Sequence, residues 1–150
     1  MTIPVTLRDL VSDDAPAIQR IYSGKSVAFT TGKPITIEEA TAKISAWGRS
    51  AFGITVHGDL LGVVKIHSRT QSTGTISYIL REDSWGNGYA TDAVRQITDF
   101  AFNRVGLERL EAKHHPDNPA SGRVLAKAGF DCHGLHDDFV TYALEKKRTA

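Results

Sequence analysis

The feature that most constrains this chain is a glycine-containing turn between a strand-like segment and a long helix-like segment. The turn spans Trp85 to Ala90 and contains Gly86 and Gly88. Apolar residues recur at helical spacing after it and predict one amphipathic helix that Gly106 ends. The first N–H groups of a helix have no internal acceptor, and the helix dipole adds positive charge there. A turn without side chains at this point can therefore hold a phosphate or pyrophosphate.

Other interpretations of this turn differ in how well the sequence supports them. No Gly-Lys-Ser or Gly-Lys-Thr follows, which excludes a Walker loop. The spacing continues from Gly88 to Thr91 rather than to a third glycine, and this weakens a dinucleotide-binding interpretation. A strand-to-helix turn that needs glycine only for its backbone conformation stays open.

The order of predicted elements is strand, helix, helix, three strands, helix, strand, helix and two strands. This order predicts a mixed sheet with helices on its faces, an α+β domain over residues 1–150. Thr36 with Glu39 forms a capping box, and Asn118-Pro119 is a helix start with Asn118 as the capping side chain. Residues 23–34 are predicted to form a loop that can wall a substrate pocket.

Composition and charge exclude several classes of function. The chain has 18 Lys and Arg against 17 Asp and Glu, a formal charge of +1, which argues against a DNA-binding protein. No apolar run approaches the roughly 20 residues that a membrane span needs. The first ten residues lack a basic stretch followed by an apolar one, so we expect no secretion signal and a cytoplasmic protein.

The single cysteine, Cys132, excludes an intrachain disulfide and predicts a small buried thiol. The neighbouring His133, His136, Asp137 and Asp138 have the types of metal ligands, but no second ligand pair accompanies them. We therefore expect no metal ion.

Two runs of this sequence resemble the GNAT family of acyl-CoA N-acyltransferases. Trp85 to Ala93 (WGNGYATDA) resembles the family's pyrophosphate-binding motif, and Asn118 to Phe130 (NPASGRVLAKAGF) resembles its second motif. The runs occur in the family's order and spacing, and the element order matches nearly the whole chain. Both are most similar to the branch of the ribosomal-protein alanine acetyltransferases, in which tryptophan is common at the position of Trp85.

The resemblance implies a mixed, mostly antiparallel sheet of about seven strands, splayed between the fourth and fifth, with about four helices on its faces. It implies transfer of an acetyl group from acetyl-CoA to a primary amine of a small molecule or a peptide N-terminus, by direct attack. The implied acetyl-CoA-binding residues are Ile79, Leu80, Arg81 and Asn118 on the pantetheine, Gly86, Asn87, Gly88, Tyr89, Ala90 and Thr91 at the pyrophosphate, and Lys127 near the adenosine phosphates.

The resemblance also implies catalytic roles. A main-chain N–H near Leu80 would face the thioester carbonyl, and Ser121, near the sulfur, would donate a proton to the leaving thiolate. Asn118 would lie beside it. Thr75 stands where related enzymes often carry a glutamate base, and a threonine cannot act as one.

Several residues are candidates for the missing base. His114 ends a predicted strand, and histidine is the residue type that titrates near neutrality. Its position favours a packed histidine that continues the Leu110–Ala112 face over a base. The further candidates are Tyr78, Glu82, His67 and His115. The base could also be water, or the amine could arrive uncharged.

Two functions of other classes stay open. The absent glutamate at Thr75 allows a non-catalytic acyl-CoA-binding or sensor domain. The donor could also be an acyl group on a carrier protein or on tRNA. The balanced charge favours a small amine over a ribosomal partner, and the chain could form a homodimer.

Overall fold

The computed structural model describes residues 3–147. The strands are β1 (Thr6–Asp9), β2 (Ala51–Val56), β3 (Asp59–Ser68), β4 (Thr73–Leu80), β5 (Arg109–His114), β6 (Asp131–His136) and β7 (Phe139–Glu145). The α-helices are α1 (Ala15–Ile21), α2 (Ile37–Trp47), α3 (Tyr89–Phe100) and α4 (Pro119–Lys127). A π-helical turn, Ala101–Val105, follows α3, and short 3-10 segments include Gly24–Phe29 and Glu82–Ser84.

The strands form one seven-stranded sheet in the order β1-β2-β3-β4-β5-β7-β6. The pairs β1–β2, β2–β3, β5–β7 and β6–β7 are antiparallel. Strands β4 and β5 are parallel, and their ladder covers only Thr73–Thr75 against Arg109–Glu111. The predicted α+β fold is confirmed, including its splay between the fourth and fifth strands.

The chain divides into two compact units. The first unit contains the described residues up to 65 together with 78–93, and the second contains 66–77 and those from 94 onward. The assignment of the chain to a single domain stays a prediction. None of the helices in the described range combines the length and apolar character that a membrane span needs.

The core of the first unit lies between the helices α1 and α2 and the strands β3 and β4. Ile18 and Ile21 of α1, Ala40 of α2, Val63 of β3 and Ile79 of β4 are buried in one cluster. The predicted helical spacing in α2 explains how Ala40 and Ile44 reach this cluster from one face.

The predicted start of α2 is confirmed, whereas one detail at α4 is wrong. Thr36 Oγ1 accepts from the Glu39 N–H and Glu39 Oε1 from the Thr36 N–H, both at 3.1 Å. Helix α4 begins at Pro119 as expected, but the Asn118 side chain makes no capping hydrogen bond. The main-chain carbonyl of Asn118 closes the turn instead, because it accepts from the Ser121 N–H at 3.2 Å.

Candidate active site

The turn after β4 is braced from inside, within the first unit. The carbonyl oxygen of Arg81 accepts from the Ser84 N–H at 2.9 Å and from its hydroxyl at 2.7 Å. The side-chain amide of Asn87 donates to the carbonyls of Ser84 and Trp85 at 3.0 and 3.3 Å. These bonds use the carbonyl groups and the polar side chains of the turn, so its shape does not depend on the main-chain N–H groups that follow.

The main-chain N–H groups at the start of α3 have no hydrogen-bond acceptor within the described part of the first unit. Among the described residues of the first unit, none accepts from the main-chain N–H groups of residues 86–91. Gly86 and Gly88 have φ angles of +83° and +79°, which glycine adopts without strain. A Cβ added at Gly86 would meet nothing within 4 Å. The first turn of α3 therefore presents unpaired donors and partial positive charge that no side chain at Gly86 covers.

Charged side chains beside the turn add little positive field to it. Arg81 donates to Asp83 Oδ1 at 2.6 Å and to Asp59 Oδ2 at 3.2 Å, and these carboxylates raise the pKa of Arg81. Asp92, in the first turn of α3, accepts from the Val5 N–H at 2.7 Å. An anion at this turn would therefore be held chiefly by the main chain.

Some main-chain groups at residues 79–81 already have hydrogen-bond partners within the first unit. The Arg81 N–H donates to the Leu61 carbonyl at 2.7 Å, and the Arg81 carbonyl is used by Ser84. Pairing of the main chain at residues 79–81 with a pantetheine arm stays a prediction.

A second cluster lies in the second unit, where β5, β7 and α4 meet. His114 is buried, and its ring lies 5.4 Å from the ring of Tyr142, centroid to centroid. His114 Nδ1 is 2.8 Å from the His115 carbonyl oxygen, which can only accept, so Nδ1 carries the proton. In the neutral form of the ring, Nε2 then accepts from the Tyr142 hydroxyl at 3.1 Å. Burial raises the pKa of Tyr142.

Helix α4 approaches this pair at a glycine. A Cβ at Gly122 would lie 2.5 Å from Tyr142 Oη and 2.8 Å from His114 Nε2, so any larger residue collides with both. Ser121, the preceding residue, is half-buried at the start of the same helix. The structure thus brings His114 close to α4, on which Ser121 lies.

The other predicted site residues range from half-buried to exposed. Asn118 is half-buried, and Lys127 is exposed and uses its carbonyl to accept from Arg95 at 2.8 Å. Tyr78 is half-buried on β4 in the first unit. Thr75 Oγ1 lies 3.5 Å from the His67 carbonyl.

The thiol of Cys132 is exposed, which corrects the expectation of a buried one. The whole of β6 is exposed, because it is an edge strand whose residues lie outside the core. Over the described range, no group of three or more His, Cys, Asp or Glu side chains could hold a metal ion.

Sequence reasoning missed Tyr142 and Ser26. An isolated glycine within a helical pattern, as at Gly122, signals a close approach of another group, and a tyrosine on a core strand needs a hydroxyl partner. These signals together could have found Tyr142. Ser26, which donates to the Leu80 carbonyl at 2.7 Å, gave no signal because its partner lies 54 residues away.

Known proteins of one family resemble this chain. A family model described as an acetyltransferase (GNAT) domain matches residues 5–131. The chain is 32% identical over 148 residues to the uncharacterized N-acetyltransferase p20 of Bacillus licheniformis, which covers 90% of this chain and 83% of p20.

Solved structures share its fold. A GNAT-family acetyltransferase from Bacillus anthracis matches with a TM-score of 0.87 at 19% identity, over 97% of this chain and 96% of that one. RimJ of Mycobacterium smegmatis, solved in complex with CoA-disulfide, matches with a TM-score of 0.82 at 24% identity, over 97% and 86% of the two chains.

Proposed function

Because the chain belongs to the GNAT acetyltransferase family, we propose that it transfers an acetyl group from acetyl-CoA to a primary amine. The acceptor is an amine of a small molecule or of a peptide N-terminus. The observation that carries this proposal is the row of unpaired main-chain N–H groups at residues 86–91.

The turn suits the diphosphate of CoA. Each N–H at the start of α3 can donate one charge-assisted hydrogen bond, worth about 1.5–3 kcal/mol when the acceptor is charged. The glycine at position 86 leaves room for the ligand, since nothing lies within 4 Å of its Cβ direction. RimJ of Mycobacterium smegmatis, which shares the fold, was solved in complex with CoA-disulfide.

The chemistry follows from the bonds that change. Acetyl-CoA supplies a thioester carbon that the amine nitrogen attacks, so a C–N bond forms while the C–S bond breaks. An N–H near Leu80 stabilises the charge that develops on the thioester oxygen. Ser121, beside Asn118, donates a proton to the leaving thiolate and takes up the proton that the nitrogen loses as the amide forms, so its hydroxyl is restored.

The acceptor must lose a proton before it attacks, because an α-amine has a pKa of roughly 7.7–8.0 and a lysine amine about 10.4. His114 is our candidate base. Since its Nε2 is covered by the Tyr142 hydroxyl, it would receive the proton through that hydroxyl. Tyr78 is the second candidate. No glutamate is available at Thr75.

The first test is calorimetric titration of the protein with acetyl-CoA and with S-acetyl-pantetheine, which lacks the diphosphate. We expect acetyl-CoA to bind at least a hundredfold more tightly, since two or more charge-assisted hydrogen bonds are lost with the diphosphate. Equal affinities would contradict the placement of the diphosphate.

The second test is release of free thiol from acetyl-CoA in the presence of a panel of amines. Turnover with an aminated small molecule or an N-terminal peptide supports the proposal and identifies the acceptor class. Tight binding without turnover on any amine would indicate a sensor domain instead. Absence of binding would indicate a donor held on a carrier protein or tRNA.

A further inference from the structure

One peptide unit at the end of β4 is held by hydrogen bonds to three other segments of the first unit. The Leu80 carbonyl oxygen accepts from Ser26 Oγ at 2.7 Å and from Trp85 Nε1 at 3.1 Å. The N–H of the same peptide unit, which belongs to Arg81, donates to the Leu61 carbonyl at 2.7 Å. A carbonyl oxygen has two lone pairs, so both are used here.

The two donors reach the Leu80 carbonyl from different segments of the chain. Ser26 is buried in the 3-10 segment Gly24–Phe29, and its hydroxyl bridges that segment to β4. Trp85 is 47% exposed, and its indole N–H donates to the Leu80 carbonyl.

The segment that carries Ser26 is itself fastened to the turn after β4. Glu82 Oε1 accepts from the Lys25 N–H at 2.8 Å. A Cβ at Gly24 would lie 2.5 Å from the same carboxylate oxygen, so the segment lies directly against Glu82. The position of the Ser26 hydroxyl is therefore fixed by its backbone and not only by its rotamer.

The preceding peptide unit, which joins Ile79 to Leu80, lies against Gly62 of β3. A Cβ at Gly62 of β3 would collide with the Ile79 carbonyl oxygen and lie 2.6 Å from a methyl group of Leu80, so β3 approaches β4 closely here. The two peptide units share the Cα of Leu80. With one held by three hydrogen bonds and the other against Gly62, the direction of the Leu80 N–H is set.

We propose that Ser26 and Trp85 are positioning residues that aim the Leu80 N–H at the thioester oxygen of the donor. We call the hydrogen bonds of Ser26 and Trp85 to the Leu80 carbonyl the clamp. The clamp is present without a ligand, but the purpose that we assign to it rests on the proposed function. A preorganised donor requires no reorganisation as charge develops, so loosening the clamp lowers turnover and leaves donor binding intact.

The variants remove one hydrogen bond each. Ser26→Ala removes the hydroxyl, and Trp85→Phe keeps an aromatic ring but removes the indole N–H. Ser23→Ala is the matched control, because Ser23 Oγ makes the same kind of bond to a different carbonyl, that of Arg20, in the same part of the chain. Ser26 is buried, so Ser26→Ala could fail to fold. Trp85→Phe still tests the proposal in that case, because the ring of Trp85 is partly exposed.

The first readout needs no ligand. Amide hydrogen exchange at Arg81, measured by NMR, should be at least tenfold faster in Ser26→Ala and in Trp85→Phe than in the wild type and in Ser23→Ala. Unchanged exchange in both variants would overturn the clamp.

The second readout is the infrared stretch of the carbonyl of bound acetyl-CoA labelled with 13C. We expect the wild type and Ser23→Ala to lower its frequency relative to free acetyl-CoA, and the two clamp variants to return it toward the free value with Kd within twofold. If the carbonyl frequency in both variants equals that in the wild type, the positioning role is refuted, even if amide exchange at Arg81 is faster. Failure of the wild type to bind acetyl-CoA would refute the proposed function, and with it the assigned purpose.

Discussion

The strongest prediction concerns a charge placed at the turn before α3. Gly86 and Gly58 form a matched pair of sites, with φ angles of +83° and +80° and nothing within 4 Å of an added Cβ at either. A side chain at either site strains the backbone to a similar extent, about 1–2 kcal/mol of stability. Gly58 lies in the turn between β2 and β3, so a variant there reports the strain alone.

The expected effect at Gly86 follows from the open N–H groups. Two like charges about 5 Å apart repel each other by about 3 kcal/mol at an effective dielectric of about 20, and we take this as the cost of a glutamate at position 86 for each ligand charge. That corresponds to a roughly 150-fold loss of affinity for each charge. The Gly86→Gln side chain has nearly the same shape as that of Gly86→Glu but carries no charge. We expect it to lower the affinity for acetyl-CoA about tenfold, and this loss measures how far a side chain obstructs the N–H donors.

The assay is calorimetric titration with acetyl-CoA for Gly86→Glu, Gly86→Gln and Gly58→Glu, with thermal unfolding of each variant. We expect the order of affinity to be Gly58→Glu, then Gly86→Gln, then Gly86→Glu, with Gly58→Glu within twofold of the wild type. The difference between Glu and Gln at Gly86 should shrink as salt is added, because screening weakens the repulsion. Equal affinity of Gly86→Glu and Gly58→Glu would refute the placement of the diphosphate on these N–H groups.

Three further predictions test other parts of the molecule. Gly122→Ala should lower the free energy of unfolding by about 1–3 kcal/mol, because its Cβ collides with Tyr142 Oη. In a Tyr142→Phe background the loss should shrink by about 1 kcal/mol in urea unfolding, and additive effects would contradict the contact. Ser121→Ala should lower kcat at least tenfold with Kd for acetyl-CoA within twofold; wild-type kcat would remove Ser121 from the mechanism. Arg8 hydrogen-bonds both carboxylate oxygens of Asp14 at 2.9 Å and lowers the pKa of Asp14 below its unfolded value. The ion pair contributes about 1 kcal/mol to the free energy of unfolding, a small amount because Arg8 is partly exposed. This contribution should be complete above about pH 4 and vanish as the pH falls through the pKa of Asp14 in the folded protein. Asp14→Asn should remove this pH dependence, and parallel stability curves for the two proteins down to pH 2 would show that Asp14 does not supply it.

The elements that sequence patterns predicted correctly are those whose signals are local. The capping box of Thr36 and Glu39, the helix start at Pro119 and the glycine turn before α3 each depend on residues within a few positions of one another. Backbone sterics and first-turn hydrogen bonding act over that range, so the sequence alone determines them.

The expectations that were wrong depended on neighbours far along the chain. The Asn118 side chain makes no cap, although its residue type favours one, and Cys132 is exposed because β6 became an edge strand. Neither outcome can be read from residue type, since each depends on where other elements pack.

The chain's local pattern thus determined that a strand would end in an open row of N–H donors at the start of a helix. Tertiary structure alone decided what surrounds that row. It brought Ser26 to the Leu80 carbonyl across 54 residues and Tyr142 to His114 across 28. The physical reason is that a hydrogen bond between distant residues forms only where the packing of whole elements places donor and acceptor within about 3 Å, and no short stretch of sequence contains that information.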